Sequence, residues 1–134
     1  MTQKFIFRSD LRANPDVLYL FGDNLLRVGL GGQAKEMRGE PNAVGVATKR
    51  SPGMSTGDFF SDADYWAIRK QIDTDLAPAF EHLVDGGVVV IPEDGLGTGL
   101  SQLPERAPKV NRYLTDRLHA LRKAAEKSRS DGHV

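Results

Sequence analysis

No cysteine occurs among the 134 residues. That absence removes disulfides, thiolate zinc sites and cysteine nucleophiles from consideration, and it fits a cytoplasmic protein. Net charge is absent too, because 18 basic residues balance 18 acidic ones. Without a global positive field, duplex nucleic acid held by charge alone is not expected, although a local basic patch is compatible with the balance. The opening MTQKFIFRSD lacks the apolar stretch of a signal peptide or a membrane span, so no membrane partner is expected. His82 and His119 fall on expected helices with no paired Asp or second His at ligand spacing, and His133 falls near the end of the chain. No metal site and no cofactor is therefore called for. The length and ordinary composition, 40% hydrophobic and 27% charged, fit one globular domain with its own core.

What the chain has in quantity is glycine, 14 residues in clusters, and the clusters follow apolar runs. KFIFR (4–8) reads as a short strand. Asn14-Pro15-Asp16 is a turn signal. VLYLF (17–21) is a continuous apolar run, as in a strand covered on both faces, and it ends in GDN (22–24). A glycine-bearing loop, LLRVGLGG (25–32), leads into a short helix, QAKEMRGE, stopped by Gly39. NAVGVAT (42–48) is a third strand, followed by the long polar loop KRSPGMSTGDFF (49–60); loops of that length in compact domains are often functional. Ser61 or Asp62 can cap the next helix, with Phe60 and Tyr65 as a hydrophobic staple. Tyr65, Ile68, Ile72, Leu76, Phe80 and Leu83 then recur at spacings of three and four, one helical face, with Pro78 expected to kink or split the helix. Gly86 and Gly87 end it. GVVVIP is the fourth strand. Ala107, Val110, Leu114, Leu118, Leu121 and Ala125 mark a last helix from about Pro104 to Glu126, and 127–134 is a polar tail. The order β-β-α-β-α-β-α implies a largely parallel sheet with helices on both faces.

Three glycine-bearing loops thus follow strands, at the sheet end where open α/β folds bind ligands. Bare backbone there lets N–H groups approach an anion, and a helix start behind it adds partial positive charge. Each loop alone is most often a turn. Two on one sheet end, with a polar loop between them, point to a nucleotide or another phosphate-bearing ligand. Neither loop is a Walker A motif or a GxGxxG fingerprint.

The ordered set FGDNLLRVGLGGQAKEMRG, NAVGVATK and VVVIPEDGLGTGLSQLPERAPKVNRYL resembles the two ligand loops and the intervening strand of macro domains, over roughly residues 17 to 121. The resemblance implies a single, compact three-layer α/β/α macro-like domain over 1–126, with a mostly parallel mixed sheet. It implies ADP-ribose as ligand, with ADP-ribosylated nucleic acid or protein as the larger partner. Gly22, Asp23, Asn24, Gly29, Gly31, Gly32 and Gln33 would form the first wall, and Thr48 would stand between the walls. Gly95, Leu96, Gly97, Thr98, Gly99 and Leu100 would form the second. Thr48-Lys49 is similar to the TK pair of a branch that removes ADP-ribose from acidic side chains or thymidine. There Lys49 would be the reactive amine, Asn24 the ribose contact, and Asp94 or Glu93 the proton carrier. Ser101 stands where that branch can carry its acid, and Asp10 is the nearest match to an adenine-holding Asp. Two alternatives remain open: a non-catalytic module that senses or sequesters an NAD-derived nucleotide, and a protein-interaction domain whose glycines are only turns.

Other residues carry weaker signals. Lys49 and Arg50 as solvated loop charges is the ordinary fate of such a pair. Phe59, Phe60, Tyr65 and Trp66 have π-faces that suit a base, but staple and core is the expectation for Tyr65 and Trp66, while Phe59 is the better ligand contact. Ser51, Ser55 and Thr56 have no histidine partner for a triad.

Overall fold

The computed structural model describes residues 1–131. Four strands form one parallel sheet in the order β1-β4-β2-β3, where β1 is Thr2–Gln3, β2 Val17–Asn24, β3 Ala43–Lys49 and β4 Val88–Pro92. Among the described residues, antiparallel pairing is confined to a bridge between Lys49, at the end of β3, and Phe59. Among the described residues, five α-helices accompany the sheet: α1 (Arg8–Ala13), α2 (Ala34–Met37), α3 (Tyr65–Val84), α4 (Leu103–Arg106) and α5 (Pro108–Asp131). This is an α/β fold, and the sheet is wholly parallel rather than mixed.

Two apolar clusters sit on opposite faces of the sheet. Successive strand side chains point to opposite faces, so Tyr19, Phe21 and Val90 meet Leu11 of α1 and Met37 of α2, while Leu20, Val89 and Ile91 meet α3 and α5. On α3 the buried residues are Ile68, Ile72, Leu76, Ala79 and Leu83, the helical spacing read from the sequence. On α5 Val110, Leu114, Leu118 and Leu121 pack against them. Each fully buried Leu or Ile contributes roughly 1.5–3 kcal/mol, which makes this face the main source of stability.

Four expectations are corrected. KFIFR is not a strand: Phe5 and Phe7 are 68% and 53% exposed, and the Phe7 amide donates to Asp10 Oδ2 (2.8 Å) to start α1, a helix too short to show a periodicity. Pro78 does not split α3, which runs through it. Pro78 lies on the exposed face, where water can satisfy the carbonyl that its missing N–H leaves free. Ser61 and Asp62 do not cap α3; Ser61 precedes a short 3-10 turn, Asp62–Asp64, that leads into it, and Asp62 Oδ1 instead accepts from Lys109 and Val110 at the start of α5 (3.0 and 3.2 Å). Finally, the helix expected from Pro104 is broken at Ala107 into α4 and α5, and α5 continues to Asp131 where the tail was placed. Residues 132–134 of that tail lie outside the described residues.

The α1–α2 layer is pinned by Glu40, whose carboxylate accepts from Arg8 (2.8 Å) and Arg12 (3.1 Å). The Arg8 hydrogen bond, with Arg12 and both charges adding, holds this carboxyl below its ordinary value of 4.5 against a smaller opposing effect of desolvation. A lowered folded pKa means stability that is present above about pH 4.5 and is lost as pH falls through the folded value. Denaturant midpoints measured from about pH 6 to about pH 3 should therefore fall less steeply for Glu40→Gln than for the parent. Parallel curves would remove this pair as a contributor to acid sensitivity.

Candidate functional site

Strand β2 ends in the site. Its register with β3 runs from Tyr19–Ala43 to Asp23–Ala47, then shifts so that Asn24 pairs with Lys49. The shift sets Thr48 apart as the extra residue. Bulges of this kind re-aim side chains at the end of a sheet. Residues paired across parallel strands share a face, so Asn24 and Lys49 line the same small cavity of about 110 Å³ together with Gly29, Gly31 and Ser101.

A second chamber of about 230 Å³ adjoins it, lined by Gly31, Gly32 and Gln33 from the first loop and by the second loop from Asp94 to Ser101. The chambers share Gly22, Gly31, Leu100 and Ser101, so they are two parts of one cleft. Leu100 stands at the divide: its Cδ1 would lie 3.0 Å from a Cβ at Gly31. At the floor, a Cβ at Gly22 would meet Thr48 Oγ1 at 3.3 Å and the Gly97 amide at 3.6 Å. Thr48 is fully buried, and its hydroxyl bonds Ser101 Oγ (2.6 Å) and donates to the Asp23 carbonyl (3.2 Å). The three strand ends are therefore locked together under the cleft, and the locking groups leave no room for side chains larger than glycine.

The backbone of both walls is free. The amides of Gly31, Gly32 and Gln33, and those of Leu96 through Ser101, donate to no acceptor among the described residues. The sequence reading placed helix starts behind both loops; α2 and α4 are single turns of four residues, so their dipoles add little and the amides themselves carry the anion-binding capacity. Two buried side-chain acceptors are also unpartnered. Asn24 is 7% exposed, its Nδ2 donates to Val28 O (2.7 Å), and its Oδ1 has no partner among the described residues. Gln33 Oε1, in the neighbouring chamber, is likewise unpartnered.

Asp23 does not present its carboxylate as a ligand contact. It is buried and clamped by Arg38 (2.5 Å) and by Arg27 (3.5 Å). Arg38 also donates to Gly29 O (2.7 Å), and Arg27 to Asp75 of α3 (2.7 Å) and to Gly45 O (3.2 Å). Arg27 adopts a left-handed backbone, φ 57°, which turns the first loop sharply. These two arginines hold the first wall rigid. Periodicity could not reveal them, because both lie in the loop–helix segment and their partners are up to 48 residues away.

Lys49 is buried, and its Nζ donates to Gly53 O (2.6 Å) and lies 4.5 Å from the centre of the Phe59 ring. Burial pulls its pKa below the ordinary 10.5; Asp58 opposes that shift and Arg106 adds to it. Asp94 is exposed and lines the other chamber, so the three proposed catalytic residues divide as Asn24 with Lys49, and Asp94 apart. The carboxylate that acts on Lys49 is Asp58, which accepts from Ser51 Oγ and from the Ser55 amide (3.0 Å) and so braces the loop between β3 and α3. Phe59, expected as a ligand contact, is 3% exposed and lies between Lys49 and Arg106, whose guanidinium carbon is 3.8 Å from the ring centre.

The whole is an α/β domain with a two-chambered, amide-walled cleft at the carboxyl ends of its strands. Comparison with family models adds membership: the chain belongs to a family of unknown function (DUF7831), whose model matches residues 1–117. No curated protein and no solved structure matches it. Among the described residues, no helix is long and apolar enough to cross a membrane, and no group of three or more acidic or histidine side chains is placed to hold a metal ion.

Proposed function

We infer that this protein binds ADP-ribose, or an ADP-ribosyl group carried on a macromolecule, in the cleft at the strand ends. The observation that carries the reading is the pair of unpartnered amide rows, Gly31–Gln33 and Leu96–Ser101, lining a single chamber. Two such rows match a diphosphate, whose charge is spread over several oxygens that all need donors. The smaller chamber supplies Asn24 Oδ1, an acceptor suited to a sugar hydroxyl. The order of these parts along the chain matches the macro-domain resemblance drawn from the sequence.

A second reading, hydrolysis of the ADP-ribosyl link, is favoured by one observation: Lys49 shares the chamber with Asn24 and its amine is pulled toward the neutral, nucleophilic form. Calorimetry with ADP-ribose, with ADP and ribose 5-phosphate as comparators, tests binding; ADP-ribose should bind most tightly. No heat and no thermal shift at millimolar ADP-ribose would remove the reading. In the same protein, Lys49→Arg should abolish turnover of ADP-ribosylated thymidine or glutamate and leave binding within about threefold, because it keeps the charge and loses the nucleophile. Turnover equal to the parent's would discard the lysine chemistry and leave a binding module.

A further inference from the structure

We propose that a surface strip at the start of α5 binds single-stranded nucleic acid, with Trp66 as its base-stacking platform. The strip consists of two open cavities beyond the cleft. One, about 560 Å³, is lined by Arg50, Phe59, Ser61 and Arg106. The other, about 510 Å³, is lined by Asp62, Trp66, Lys109, Arg112 and Tyr113. Arg50 in the first cavity follows Lys49 of the cleft, and Asp62 in the second follows Ser61 of the first, so the compartments are neighbours along the chain, though they share no lining residue.

Its chemistry is that of a polyanion track with an aromatic stop. Lys109 and Arg112 lie three residues apart on α5 and so share a face; they and Arg106, before the break at Ala107, are all exposed. None of the three forms an ion pair among the described residues. The acidic groups nearby are mostly engaged: Asp62 caps α5, Asp64 pairs with Arg50, and Asp73 accepts from Tyr113 (2.6 Å). Asp116 alone stays open on the same cavity. Trp66 is 72% exposed, contrary to the staple-and-core expectation. It is held edge-on by Tyr65 (centroids 5.3 Å, 73°) and flanked by Arg69 at 5.4 Å. A large indole kept open and rigid beside unpaired cations suits a stacked base with phosphates alongside. A folded protein partner would call for a broad apolar patch, whereas the apolar surface here is one ring in a charged setting. A chain with no net charge makes this a local contact, so its salt dependence should be shallow.

The protein has one tryptophan, so tryptophan emission, excited selectively over its three tyrosines, reports this strip alone. Titration with a single-stranded oligonucleotide of about twelve residues, within the site sizes of such proteins, should quench Trp66. Anisotropy of the labelled oligonucleotide should show Trp66→Ala and the double variant Lys109→Glu/Arg112→Glu each binding at least about tenfold more weakly. Both variants change exposed side chains, and their ADP-ribose calorimetry should equal the parent's, which separates failure here from failure of the cleft reading. No quenching by about 100 μM oligonucleotide, the weak end of non-specific binding, would overturn the proposal. So would equal quenching by a polyglutamate peptide, or oligonucleotide affinity unchanged in the charge-reversed variant.

Discussion

Replacing Gly97 with alanine should destabilise the protein by about 2–4 kcal/mol, whereas the same change at Gly95 should cost only about 1–2 kcal/mol. Both glycines lie on the second loop at φ 81°, a conformation that L side chains rarely adopt, so the backbone strain is the same in each. What differs is the space. A Cβ at Gly95 would meet nothing within 4 Å, but at Gly97 it would lie 3.0 Å from both Leu103 Cβ and Cδ2, and 3.3 Å from Thr48 Cβ. Thr48 cannot retreat, because its hydroxyl is fixed to Ser101 and to the β2 backbone. The difference between the two denaturation midpoints therefore measures how tightly the loop is seated on the strand ends. Equal losses would mean that the contact relaxes freely and that the glycine is required by φ alone. The Gly97 variant should also lose ADP-ribose affinity, since the wall would have to lift off Thr48 to admit the methyl group.

Asn24→Ala should weaken ADP-ribose binding about ten- to a hundredfold, the cost of leaving a ligand hydroxyl unpaired in a desolvated chamber. The same change also removes the Nδ2 bond to Val28 O, so stability should fall by about 1 kcal/mol. The two effects are separable. A thermal midpoint that drops while affinity stays within about twofold would show that Asn24 serves only the loop; both dropping together, with binding lost at temperatures where the variant is folded, would place Oδ1 on the ligand.

The parts of the fold that could be read from the sequence were those with a long repeat. VLYLF, NAVGVAT and GVVVIP became β2, β3 and β4, and the spacings of α3 and α5 named their buried faces. The glycine-rich loops could be read only as a set, because a single glycine loop after a strand is most often a turn, whereas two at one sheet end line a common cleft. Illegible were the features that depend on distant partners or on chance burial. KFIFR shows an alternation that a strand and an extended lead-in share, and only the exposure of Phe5 and Phe7 separates them. Asp58 lies nine residues after Lys49 in a loop with no period, and only the folded turn brings its charge to the amine. Asp62 looked like a cap for the helix beside it and instead caps one 47 residues away. Trp66 was expected to share the staple and core with Tyr65; consecutive helix residues point about 100° apart, so Tyr65 packs against the core while Trp66 points outward.

The cleft draws on Gly22 from β2, Thr48 from β3 and Gly97 after β4, and its closing bond spans 53 residues, from Thr48 to Ser101. Such a site has an assembly order. The β2–α2–β3 unit is local and can close early, but the second wall arrives only after α3 has been laid across the sheet and β4 has inserted between β1 and β2. Contacts of that sequence separation form late, after the entropy of loop closure has been overcome. No half-formed chain can present the cleft, so a ligand held there would recognise only the finished molecule. It would raise the melting temperature by mass action as its concentration rises, and during refolding its binding would appear only with the slowest step.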